Sequence, residues 1–160
     1  MRRAVLRRAA VVVVAFALMV SGGVLVWAHR HSVAVEAARV EAIAAAPGRV
    51  EALLSYNAPT VDRDLDAAAG GATGSFKDGF VEFGTKTVAP QSKEKGISTK
   101  ARVVDVGFIS GATDHAELLL FVDQITTSVA QPAPATTSSR VRVGVERVDG
   151  QWLVSELTPV

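Results

Sequence analysis

"RVRVGVERVDGQWLVSEL", residues 140–157, decides the fold. Its apolar residues alternate with polar ones on both sides of Asp149-Gly150. Period two is the mark of a strand with one covered face. Asp-Gly is a strong signal for a two-residue hairpin, because the favoured turn needs positive φ at both central positions. A tight turn sets Val148 opposite Gln151, Arg147 opposite Trp152 and Val145 opposite Val154. Val141, Val143, Val145, Trp152 and Val154 then share one face, the expected core face, while Arg140, Arg142 and Glu146 point the other way.

Two more strands precede this hairpin. "KARVVDVGFIS" (100–110) and "HAELLLFVDQITTSV" (115–129) have the same period and are separated by "SGATD". Leu118 to Val122 is apolar on both faces, which predicts a central strand covered on both sides. The uncharged Pro-, Ala- and Thr-rich stretch from Ala130 to Ser139 reads as a solvent loop.

Upstream of Ser98 the period is helical. Residues 32–56 carry Val33, Ala37, Val40, Ile43 and Ala44, then Val50, Leu53 and Leu54, as an apolar stripe. Pro47-Gly48 is expected to kink or end this helix near Ala46. A second helix is expected from an N-cap at Thr60 to Ala69, closed by Gly70-Gly71. A third starts after Gly74, carries Phe76, Phe80 and Phe83 on one face, and fades by Pro90. That aromatic stripe reads as core rather than as a cofactor box. Helices followed by an antiparallel four-stranded meander predict an α+β domain. By analogy of element order, this is a nuclear-transport-factor-2-like cone, with about three helices packed on a curved sheet.

The first residues set the location. Arg2, Arg3, Arg7 and Arg8 precede 20 uncharged residues, Ala9 to Ala28. As a helix this run is ~30 Å long, the thickness of a bilayer's hydrocarbon core. A cleaved signal peptide is the rival, with Val26-Trp27-Ala28 as its cleavage site, but signal-peptide apolar stretches are shorter, at ~7–15 residues. Four arginines on one flank predict a cytoplasmic N-terminus and an extracytoplasmic remainder. The expected organisation is a basic stub (1–8), a single transmembrane helix (9–28), a juxtamembrane helical stalk (29–46) and an extracytoplasmic domain (47–160). Ala17 and Ser21 form one small-xxx-small pair, and the stalk's stripe is alanine-rich; these signals set no oligomeric state.

Composition narrows function. From residue 29 onward there are 13 Lys plus Arg against 16 Asp plus Glu, a net charge of −3, which argues against a nucleic-acid surface. There is no Cys, so no disulfide, thiolate metal site or thiol nucleophile is available. Asp62, Asp64 and Asp66 superficially resemble a calcium loop, but the required Gly and distal Glu are missing, and a helix-start acidic cluster is favoured. His29 and His31 flank the uncharged run and read as interfacial polar residues. His115 begins a strand with no base partner assigned. Ser55-Tyr56-Asn57 reads as a helix end. There is no glycine-rich phosphate loop. No catalytic, cofactor-binding or metal-binding residue is assigned.

Several blocks carry a family likeness: the basic stub and uncharged run, "LLSYN", "DRDL", "ATGSFKDGF", "VVDVGFIS", "LLLFVDQITTS" and "VRVGVERVDGQWLVSELTPV". In their order and spacing the chain resembles the Mce-associated membrane proteins of actinobacteria, Mce standing for mammalian cell entry. Pro47-Gly48 and Ser75, where an acidic residue is expected, depart from the pattern. The resemblance implies a non-enzymatic, single-pass accessory subunit that supports assembly or stability of an Mce-type importer of fatty acids or sterols. Implied partners are Mce transporter proteins, other Mce-associated membrane proteins and membrane lipid. It implies no cofactor and no catalytic residue. Two other functions are weighed. One is a lipid-binding module that uses the hollow of the cone, with "FKDGFVEF" and the apolar strands lining it. The other is a small isomerase-like enzyme, which needs Asp105, Asp123 or His115 inside a pocket.

Overall fold

The computed structural model describes residues 29–160. The uncharged run 9–28 and the stub before it lie outside the described residues. Among the described residues, no helix is long and apolar enough to cross a membrane. Residues 29–53 are helical (α1). The chain divides into two units at the Ala37–Ala38 border. In the first, Ser32 Oγ donates to His29 O within one helical turn.

The second unit contains the sheet and its helical layer. Its order is the rest of α1, a 3₁₀ turn (Ala58–Thr60), α2 (Val61–Ala69), α3 (Gly74–Phe83), a π-helical segment (Gly84–Val88) and α4 (Ala89–Lys95). Four strands complete it: β1 (Ser98–Gly111), β2 (His115–Thr127), β3 (Ala135–Val148) and β4 (Gln151–Pro159). They form one antiparallel sheet in the order β1-β2-β3-β4. Helices cover one face of it, so the fold is α+β and nuclear-transport-factor-2-like, as the element order predicts.

The hairpin pairs as read. Val148 faces Gln151, Arg147 faces Trp152 and Val145 faces Val154. Asp149 and Gly150 both have positive φ, 49° and 79°, the backbone that a primed turn requires. Val141, Val143, Val145, Trp152 and Val154 are all buried. A register shift after Gly144 skips Ser155, and two more interrupt β1 beside Val104 and Ile109. Such bulges bend strands and add twist, which lets a sheet wrap helices. Both sheet edges are stitched to the helical layer. Tyr56 and Thr99 exchange backbone hydrogen bonds of 2.9 Å beside β1, while Thr73 N–H donates to Val154 O and Val154 N–H to Gly71 O beside β4.

Four expectations are corrected. First, α1 does not end near Ala46 but runs through Pro47-Gly48 to residue 53. Its buried face holds it to the sheet, and that packing outweighs the one hydrogen bond Pro47 cannot make. The compact unit starts at Ala38. Second, the buried face of α1 is Ala38, Ala42, Ala46, Val50 and Leu53, whereas Val33 and Val40 are exposed. Third, the third helix does not fade at Pro90. Ala89 N–H bonds to Gly84 O, five residues back, and α4 continues to Lys95 with Pro90 in its first turn. Proline is tolerated there because a first-turn N–H needs no helical partner. Fourth, β3 begins at Ala135, well inside the stretch read as a loop.

β2 is central, with Leu118, Leu120 and Val122 buried under the helices. The cover expected on both faces is a further correction: the other face is open among the described residues, and Phe121 is exposed there.

Candidate functional site

The acidic run at the start of α2 is held locally. Asp64 Oδ2 accepts hydrogen bonds from Thr60 Oγ1 (2.7 Å) and from Asn57 N–H (3.1 Å). The Thr60 hydroxyl, then the Asn57 donors, hold its carboxyl below the usual aspartate range, with help from Arg63. Asp62 pairs instead with Lys93. Asp64 and Asp62 are thus spent on helix-start hydrogen bonds and surface pairing, in keeping with the structural reading of D-x-D-x-D. Among the described residues, no three His, Asp or Glu side chains come together as a metal site.

The Asp64 arrangement has a pH consequence. A carboxyl whose pKa is depressed by folding adds stability above its unfolded value, about 3.9 for Asp, and loses that contribution as pH falls through the folded value. Asp64→Asn keeps an acceptor and removes the charge. The variant is expected to melt below the wild type at pH 6–7, and the gap is expected to close as pH drops below about 4. Thermal melts of both proteins across pH 3–7 check this.

The three residues weighed for catalysis are dispersed. Asp105 lies exposed on β1 with Oδ1 accepting from Val106 N–H at 2.8 Å. Asp123 Oδ1 accepts from Ser138 Oγ at 2.6 Å, a cross-strand contact of β2 and β3. His115 is exposed at the start of β2, with Nδ1 2.8 Å from Asp114 Oδ1. None of the three lines the large apolar cavity of the domain.

That cavity lies between the helices and one end of the sheet's inner face and measures about 500 Å³. Its size is within the usual range for a small-molecule pocket. Leu53 and Leu54 enter from the end of α1 and Leu65 from α2. Phe76, Phe80 and Phe83 enter from α3, and Val88 from the π-helical segment. Leu157 and Pro159 of β4 complete the apolar lining. Gly84 is buried against Leu65, where a Cβ would stand 3.3 Å from Leu65 Cδ1, so a side chain there would make the leucine give by a few tenths of an ångström. The aromatic stripe is therefore only partly core. Phe76 and Phe80 are half-buried with rings 6.4 Å apart, and Phe83 is 59% exposed.

Four polar residues line the same cavity: Tyr56, Thr99, Gln124 and Thr126. Sequence reasoning missed them as a group, although a signal was present. On β2 the inner-face positions run Leu118, Leu120, Val122, Gln124, Thr126, so the face that begins as core turns polar. Gln124 pairs with the buried Ala101 and Thr126 with Thr99 across β1. Thr99 Oγ1 and Thr126 Oγ1 lie 3.2 Å apart. Ser55-Tyr56-Asn57 follows the helix end as read. Ser55 Oγ also accepts from Ala101 N–H at 2.9 Å, which helps dock this segment on β1.

A family model described as "Uncharacterized protein Rv1363c/MT1408-like" matches residues 3–160. The chain is 37% identical over 146 residues to "Outer membrane protein Rv1973" of Mycobacterium tuberculosis, covering 91% of each protein. In fold it is similar to an IcmL-like type IV secretion system protein from Legionella pneumophila, with a TM-score of 0.64 at 11% identity, over 76% of this chain and 93% of that one. It is similarly close to a periplasmic fragment of TraM, with a TM-score of 0.62 at 9% identity, over 76% and 96% of the two chains. At such identities the likeness is one of fold.

Proposed function

The chain belongs to the Rv1363c/MT1408-like family, and from that premise we propose that it is a non-enzymatic accessory subunit of a membrane transport complex, with its α+β domain outside the cytoplasm. The observation that carries this reading is the pairing of two parts in one chain. The domain has the fold of the periplasmic TraM fragment and of an IcmL-like secretion-system protein. Ahead of it stand four arginines and a run of 20 uncharged residues, which supports a single-pass anchor with a cytoplasmic N-terminus. A relative named as an outer membrane protein supports a life in the cell envelope.

The complex we assign is an Mce-type lipid importer, on the strength of the blocks that resemble Mce-associated membrane proteins. A binding or scaffolding role, rather than turnover, is favoured by the placement of the titratable groups. Asp105, Asp123 and His115 lie apart on the surface of the sheet, and the large apolar cavity is lined by no carboxylate or imidazole. General acid–base catalysis most often draws on such a group within hydrogen-bond reach of substrate.

Affinity purification of the tagged full-length protein from mildly solubilised native membranes tests the assignment. Mass spectrometry is expected to find Mce proteins and their permease at near-stoichiometric levels. Recovery of the protein alone, from membranes that demonstrably contain those proteins, removes the stable-subunit reading.

A further inference from the structure

We infer that the 500 Å³ cavity is a binding site for a neutral amphiphile, a molecule with a long or flat hydrocarbon body and a single hydroxyl or carbonyl end. The argument rests on how the lining is divided. Leu53, Leu65, Phe76, Phe80 and Leu157 present only carbon. A folded chain normally closes such a space by packing, since interiors approach crystal density. Here the polar end opposes collapse. Gln124 stands on the sheet's inner face beyond Val122, and its carboxamide makes no hydrogen bond to another described residue; the same holds for the Tyr56 hydroxyl. No side-chain polar atom is both fully buried and unpartnered among the described residues, so these groups are open to the cavity or to solvent. Polar groups placed this way fix the orientation of a ligand whose body the apolar wall holds.

Charge selects the class. The lining contains no Lys, Arg or His to neutralise an anion, and no Asp or Glu to neutralise a cation. Moving an ionised carboxylate into such a site is costly without a partner. A hydroxyl or carbonyl needs only the donors and acceptors that Tyr56, Thr99, Gln124 and Thr126 supply. The cavity therefore favours a fatty alcohol, a sterol-like alcohol or a neutral ester over a free fatty acid at neutral pH. This goes beyond the accessory role and stands apart from it, since a scaffold without a ligand keeps its partners.

The test uses the full-length protein in phosphatidylcholine vesicles at pH 7.4. Two photoreactive probes are compared, a long-chain fatty alcohol and the fatty acid of equal chain length, each with a diazirine at the same carbon. Labelled peptides are read by mass spectrometry and normalised to labelling of the uncharged run near the N-terminus. The alcohol is expected to label the peptide spanning residues 76–88 roughly tenfold more than the acid. Gln124→Leu combined with Thr126→Val keeps the space and removes the polar end, and is expected to abolish that preference while circular dichroism stays unchanged. If the acid labels this peptide as strongly as the alcohol, the neutral-head assignment is overturned. If neither probe labels any cavity peptide above that background, the site itself is overturned, and neither result alters which proteins co-purify. Should the double variant fail to fold, Phe83→Ala serves instead, because its ring is 59% exposed. It is expected to lower alcohol labelling without loss of structure, and unchanged labelling in it counts against the site.

Discussion

Trp152→Ala is expected to cost about 3–5 kcal/mol of stability, the usual range for deleting a buried aromatic side chain. The indole is 5% exposed and lies in the main core cluster with Val143, Val145 and Val154. Its Nε1–H donates to Glu41 Oε2 at 3.2 Å, so one residue joins β4 to α1. The same carboxylate oxygen takes Arg147 Nη2 at 2.7 Å, and the guanidinium carbon lies 5.8 Å from the centre of the Trp152 ring. Two partial substitutions separate these contributions. Trp152→Phe keeps an aromatic body and loses the N–H, and is expected to cost about 1–2 kcal/mol. Glu41→Gln leaves an acceptor for the indole and breaks the ion pair; with both charges substantially exposed, it is expected to cost under about 1 kcal/mol. Urea midpoints of the full-length chain, followed by far-UV circular dichroism, give all three values. If Trp152→Ala costs no more than Trp152→Phe, burial is not what this residue supplies.

The strands were legible because their signals are local and redundant. Alternation, the Asp149-Gly150 turn and the apolar run at Leu118 all point to one register, and a one-residue slip in β3 or β4 would expose a buried face. The start of β3 was not legible, because residues 135–139 have the small polar composition of a loop and no apolar alternation, yet they pair in register with residues 122–126 of β2. The continuation past Pro90 depended on a shift from five-residue to four-residue hydrogen bonding that composition does not encode. The cavity was half legible. Phe76, Phe80 and Phe83 have the spacing of a core stripe, and nothing in their spacing says that the space beneath is left unfilled. The inward turn to Gln124 and Thr126 was present in the alternation, but hidden by a reading of "LLLFVDQITT" that attended to its apolar half.

The phase of α1 was the least legible part of the fold. Alanines occupy positions 34, 37, 38, 42, 44, 45, 46 and 52 of α1, so the helix has small apolar residues around most of its circumference. Of the larger apolar groups before Ile43, which are Val33, Val35 and Val40, the stripe is drawn through Val33 and Val40. The structure buries the other side, with Ala38 at 2% exposure and Ala42 and Ala46 at 0%. The physical reason is distance: alanine lets a helix lie closer to the sheet than valine, and the sheet's inner face supplies the bulk through Leu118, Leu120 and Trp152. Ala42→Leu must then force α1 away from the sheet or drive side chains off their rotamers, at about 1–3 kcal/mol and with loss of the Trp152–Glu41 hydrogen bond in addition. Ala44→Leu, two residues along and exposed, is expected to change stability by no more than about 0.5 kcal/mol. Paired urea titrations decide between the two phases directly. Equal costs at 42 and 44, or a larger cost at 44, would place α1 on the sheet by the valine face and move Glu41 away from Trp152.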